Sequence, residues 1–228
     1  MKVPTPLKGW RTFAGDVGVI VLGVLLALWA QEVAASLEMR NRVTAFRTTI
    51  NAEIADTLWV YQARKRQVKC TLRRLDALDA WLNHAEPGET VRLLDARPPM
   101  NFGLNRAAWD NRDAVVFAAL PEGERRLYAS FYDTLSSNLS LVRNEREIWG
   151  PLERFEYAGV LDLNDRRQIY QAIKAARRLN SWLDGNIDEA AADARGLGIE
   201  RVVQPDWVLP SDLDLIEKCP PIGAEPVG

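Results

Sequence analysis

Residues 24–86 contain neither glycine nor proline, and this uninterrupted stretch begins inside a run, residues 17–30, that carries no charged or strongly polar side chain. A chain free of both common helix breakers over that distance is expected to form one long helix. At 1.5 Å per residue it would extend roughly 90 Å. Residues 13–35 are interrupted only by Asp16, Gln31 and Glu32, and a helix of that length covers about 34 Å, enough to cross a bilayer. Trp10 and Trp29 lie about 28 Å apart along such a helix, close to the separation of the two interfaces where indole rings favour lying.

A cleaved signal peptide is the competing reading. Lys2, Lys8 and Arg11 form a basic leading segment, and Val33, Ala34 and Ala35 are small residues suited to cleavage before Ser36. Against it, Val33, Leu37, Ile50 and Ile54 carry a helical spacing through that position, which favours a retained anchor. Basic residues balance across the span, so orientation rests on the short basic leader and the bulk beyond, which favour the N-terminus in the cytoplasm.

Composition narrows the rest. With 29 basic and 31 acidic residues, a net charge of −2 and a pI near 5.6, the chain lacks the basic footprint of a nucleic-acid binder. One histidine and two cysteines do not make a structural zinc site. A mean hydropathy of −0.19 leaves room for one span and no more.

Beyond the span, Ile50, Ile54, Leu58, Tyr61, Val68, Leu72, Leu75 and Leu82 step by threes, fours and sevens, a coiled-coil or bundle seam that Lys65 and Asp79 interrupt. The segment His84-Ala85-Glu86-Pro87-Gly88 stops the helix. Residues 88–103 read as a loop with one isolated strand over Thr90–Leu94, followed by a short helix over 105–120. Pro121, Glu122 and Glu124 open another helix, with a seam of Tyr128, Phe131, Leu135, Val142, Trp149 and Leu152. Gly150-Pro151 is expected to break or kink it, with Pro151 opening a further short helix. From an N-cap at Asn164, Ile169, Ile173, Ala176, Leu183, Ile187, Ala190 and Ala194 form the cleanest heptad, with Asn180 at the missing position, and Gly196 and Gly198 end it. Five prolines after residue 204 predict an extended tail.

No glycine-rich phosphate loop, nucleophile elbow or paired-histidine metalloprotease motif is present, so the chain reads as a non-enzyme needing no cofactor. Glu153 with Glu156 and Asp162 with Asp165 are carboxylate pairs at helical spacing that read as solvated charges, and His84 as a helix-end residue. Asp16, Gly23, Ala27, Ala30 and Ala34 fall on one face of the span, where small side chains let another helix approach and an acid needs a partner. Cys70 and Cys219 are candidates for a disulfide holding the tail, with two separate thiols as the alternative. Asn138-Leu139-Ser140 matches a glycosylation pattern by chance.

The block Gly-Val-Ile-Val-Leu-Gly-Val-Leu-Leu-Ala-Leu-Trp-Ala-Gln-Glu at 18–32, the later Asn-Ala-Glu-Ile at 51–54, Ala107-Ala108-Trp109-Asp110, Leu120-Pro121 and the segment from Tyr128 to Leu135 resemble uncharacterised bacterial proteins with one N-terminal transmembrane helix and a helical extracytoplasmic domain. The resemblance implies anchoring in the bacterial inner membrane, single-pass, with the bulk in the periplasm. It carries no activity. The expected architecture is all-α: an N-terminal tail (1–12), a transmembrane helix (13–35) continuing into a long stem, an antiparallel helical bundle domain (36–204) and an extended Pro-rich tail (205–228). The expected function is a membrane-anchored interaction or accessory subunit, binding another membrane protein or itself through helices. An extracytoplasmic ligand-sensing domain and an enzyme with an unrecognised carboxylate site are the alternatives.

Overall fold

The computed structural model describes residues 9–101, 103–200, 202, 204–217 and 222–226. The chain is mostly helical. Helix α1 is one unbroken element, Gly9–His84, about 114 Å long, so the continuity expected from the absence of breakers holds through Ala35 and through residues 48–51. The chain then passes β1 (Thr90–Leu94), two short helices α2 (Ala107–Asp110) and α3 (Ala114–Ala118), and α4 (Glu122–Glu153). A 3₁₀ turn and β2 (Gly159–Val160) lead to α5 (Leu163–Gly196), α6 (Pro210–Glu217) and β3 (Gly223–Pro226).

Helix α5 packs against both α1 and α4. Its direction follows from the partners it meets along α1: Arg166 donates to the Leu82 carbonyl, Arg177 to Asp79 and Asp76, and Lys65 pairs with Asp188. Residue numbers fall on α1 as they rise on α5, so the two run antiparallel. Helix α4 differs. Arg47 meets Glu124, Asn51 meets Tyr128, Tyr61 meets Asn138 and Arg64 meets Glu145. Both series rise together, so α1 and α4 are parallel and the antiparallel expectation holds only for pairs with α5. Residues 95–121 make this possible by carrying the chain back down beside α1, where α2 and α3 pack on it. The seam interruptions also find their cause, because Lys65 and Asp79 are where α1 forms ion pairs with α5.

Other local expectations change. Pro151 lies inside α4 instead of ending it; in the last turn a missing N–H forfeits one bond, and Trp149 and Leu152 on either side are fully buried. Helix α5 is capped two residues earlier than Asn164, by a capping box in which Asp162 and Asp165 exchange side-chain bonds with each other's backbone N–H. Its C-terminus is a Schellman motif. Gly198, at φ +76°, donates to the Arg195 carbonyl and Ile199 to the Ala194 carbonyl. The expected single helix over 105–120 divides into α2 and α3, because Asp113 caps α3 by accepting from the Val115 and Val116 amides.

Strand β1 is not isolated but central, in the antiparallel order β2-β1-β3, with Val91 opposite Gly159 on one side and Pro226 on the other. Val91 and Leu93 face the core and Arg92 faces solvent. The tail is correspondingly more regular than its prolines suggest: Pro210 occupies a first helical turn, where its missing N–H costs nothing, and Val208 and Ile216 pack on Trp59, Val60 and Ala63 of α1.

Besides this small cluster under α6, two larger apolar cores stack along the helices. One, nearest the membrane-length segment, gathers Ile50, Ile54, Leu58, Phe131, Leu135 and Ile187. The other, at the far end, gathers Leu75, Leu82, Val91, Trp149, Leu161 and Ile173.

Candidate functional site

The first part of α1 is long and apolar enough to span a membrane, with a mean hydropathy of 2.2 over its most apolar window. Every described side chain from residue 13 to residue 38 is exposed, Trp29 at 66%. Nothing lies within 4 Å of the point where a Cβ on Gly23 would sit, so the face that it shares with Ala27, Ala30 and Ala34 is open. The side chains of Trp10 and Asp16 lie outside the described residues. Burial begins where the other helices reach α1, at Val43, Phe46 and Ile50.

Between the two cores lies a polar layer. Arg64 of α1 donates to Glu145 of α4 at 2.5 Å, and Asn101, from the returning segment, donates to the second oxygen of Glu145 at 2.8 Å. One turn nearer the membrane-length segment, Asn138 donates to the Tyr61 hydroxyl and accepts from Asn186 of α5. Burial raises the Tyr61 phenol well above its ordinary pKa. Asn138 is 1% exposed, which removes the glycosylation pattern from any modifying enzyme's reach.

A second polar knot pins the short helices. Glu53, buried in α1, accepts from the Tyr132 hydroxyl at 2.6 Å and from the Ala108 amide at 2.8 Å. The Tyr132 ring stacks on Trp109 with centroids 4.5 Å apart and planes 5° from parallel, and Arg112 lies 3.8 Å over the other ring system's centroid. Burial, and the bond to Glu53, push the Tyr132 phenol strongly upward.

The remaining sequence candidates are accounted for differently. Asp162 and Asp165 cap α5, and Asp165 also pairs with Arg154. Glu153 and Glu156 are half-buried at the end of α4 and the turn after it. His84 bonds through Nδ1 to the Ala80 carbonyl at the C-terminus of α1, as a helix-end residue does. Cys70 is half-buried on α1 and is disulfide-bonded, while Cys219 lies outside the described residues. Among the described residues, no three His, Cys, Asp or Glu side chains are placed to hold a metal ion.

Arg64, Arg74 and Glu53 went unremarked in the sequence because each reads as one more charge on a charged helix. A signal existed: all three fall off the exposed arc of α1, toward the elements that pack on it. Two clefts open along this part of α1, the second of them lined by Arg74. One, of about 480 Å³, lies between α1 and the tail and is lined by Asp56, Val60, Leu104, Asn105 and Trp207. The other, of about 340 Å³, lies between Gln67, Thr71 and Arg74 of α1, residues 95–100 and Ile216 of α6. No family model, curated protein or solved structure matches the chain.

Proposed function

We propose that this chain is a membrane-anchored interaction or accessory subunit, held by one span in the bacterial inner membrane with its N-terminus in the cytoplasm and the helical domain in the periplasm. The observation that carries the reading is the contrast along α1. The same helix is exposed and apolar over residues 17–30 and closely packed after Ile50, so its first part needs a cover that the other described residues do not provide. A bilayer supplies it. The disulfide on Cys70 supports an oxidising compartment, and pairing with Cys219, the chain's one other cysteine, belongs to this proposal.

Lipid gives no hydrophobic drive between helices, so affinity in the membrane comes from close packing at Gly23, Ala27, Ala30 and Ala34 and from a polar partner for Asp16. The partner is another membrane protein or a second copy. Crosslinking in the native membrane, followed by sizing in mild detergent, tests this. Gly23→Leu and Ala27→Leu are expected to reduce the associated fraction while leaving the periplasmic domain folded, with Asp16→Asn weaker in effect. Unchanged association in both leucine variants would contradict the membrane-contact reading.

A second reading, an extracytoplasmic ligand-sensing domain, is favoured by the cleft that Trp207 and Asp56 line, since ligand sites combine an apolar wall with a few convergent polar groups.

A further inference from the structure

Arg74 is 8% exposed as a whole residue, yet among the described residues no carboxylate oxygen lies within ion-pair distance of its guanidinium. One of its nitrogens, Nη2, donates to the Asp95 carbonyl, and its Nε has no acceptor. The nearest carboxylate acting on it, that of Asp95, is already bonded to Arg97 at 2.7 Å. Below it lies the Trp149 ring, 5.5 Å from the guanidinium carbon, whose own Nε1 is another buried donor without an acceptor. Arg97 adds a second positive charge close enough to act on Arg74, and burial pushes the Arg74 pKa down. A buried cation without a paired anion is costly.

Arg74 lines the 340 Å³ cleft, together with Thr71, Arg97, Pro99, Met100 and Ile216. The cleft wall is fixed. Gln67 donates to the Met100 carbonyl and accepts from the Met100 amide, so the backbone there is held from α1 by two bonds. The cleft presents the guanidinium groups of Arg74 and Arg97, the latter paired with the Asp95 carboxylate that also lines it, together with proline, methionine and isoleucine carbons. We propose that this cleft binds a small organic monocarboxylate, its carboxylate on the Arg74 guanidinium and its apolar body against Pro99, Met100 and Ile216. A planar carboxylate matches the fork of guanidinium donors, and the apolar body distinguishes this ligand from an inorganic anion. The proposal is independent of any contact that the membrane segment makes.

Calorimetric titration of the full chain in mild detergent with pentanoate tests it, with sulfate as the probe of charge alone. The expected result is one saturable pentanoate site per chain, at least 10-fold tighter than sulfate. Arg74→Gln should weaken pentanoate at least 10-fold, and Arg97→Glu, at an exposed position that leaves the fold intact, should weaken it several-fold. Absence of saturable pentanoate binding would overturn the proposal. So would sulfate binding as tightly as pentanoate, or undiminished pentanoate affinity in a folded Arg74→Gln chain. Should Arg74→Gln fail to fold, undiminished affinity in Arg97→Glu overturns it instead.

Discussion

Arg64 of α1 and Glu145 of α4 form an ion pair of 2.5 Å between side chains that are 6% and 2% exposed, in the polar layer that separates two apolar cores. Asn101 completes the carboxylate's partners. Because α1 and α4 run parallel, this pair and the Tyr61–Asn138 bond set one axial register between them. Sliding either helix by a turn would separate the two buried charges, and fixing register is the attested use of buried polar groups in helical assemblies.

Glu145→Ala should therefore destabilise the chain by about 3–5 kcal/mol, the range for stranding one member of a buried pair. The double variant Arg64→Met with Glu145→Leu should recover most of that loss. Denaturant unfolding in detergent measures both. A Glu145→Ala chain as stable as the parent would remove the pair from the account of register.

Tyr132→Phe leaves one oxygen of buried Glu53 without its donor, at an expected cost of about 1–3 kcal/mol. The stacked Trp109 ring should report it through tryptophan fluorescence, since α2 is tied to α1 through the same carboxylate. A variant indistinguishable from the parent in both stability and fluorescence would show that water replaces the hydroxyl without penalty.

Tyr61, Tyr128 and Tyr132 all have phenol pKa values raised above the ordinary 10.0, chiefly by burial. Their contribution to stability is complete below pH 10. Above it the unfolded chain releases protons that the folded chain retains, so stability falls as pH rises. Unfolding midpoints measured from pH 8 to pH 11 should decline steeply beyond pH 10, and replacing Tyr132 by Phe should soften the decline. A midpoint that does not change across that interval would contradict the burial of these phenols.

Asp113 provides the opposite sign. Its carboxylate is held below the ordinary 3.8 first by the Val116 and Val115 amides and further by Arg42, so the cap is in place above 3.8 and is withdrawn as acid passes below it. The Val115 and Val116 amide resonances should shift together with a midpoint under 3.8, and Asp113→Ala should abolish that transition. A midpoint at or above 3.8 would contradict the cap.

What the sequence made legible were features that local pattern determines alone. The continuity of α1 follows from residues 24–86 lacking breakers, and the heptad from Ile169 to Ala194 names buried positions of α5 throughout while missing Ala172 and Leu179, which are buried beside them. On α1, Leu72 was assigned to the seam yet is exposed, while Leu78, unassigned, is buried. Features set by distant partners stayed hidden. Strands as short as β2 carry almost no periodicity, and β3 exists because β1 offers it an edge. The parallel pairing of α1 with α4 depends on where residues 95–121 lead the chain, which no helix face records. Arg74 looked like its neighbour Arg73, and only the packing of residues 95–100 separates a buried guanidinium from a solvated one.

The proposed anchoring requires that α1 be kept whole in the native protein, joining a membrane segment to the packed helices without a break. Intact mass of the protein isolated from native membranes tests it most directly. The expected result is a chain that retains residues 13–35. A mature chain beginning at Ser36 would contradict it, because the segment would then have served as a removable leader and the helix would start within the stem.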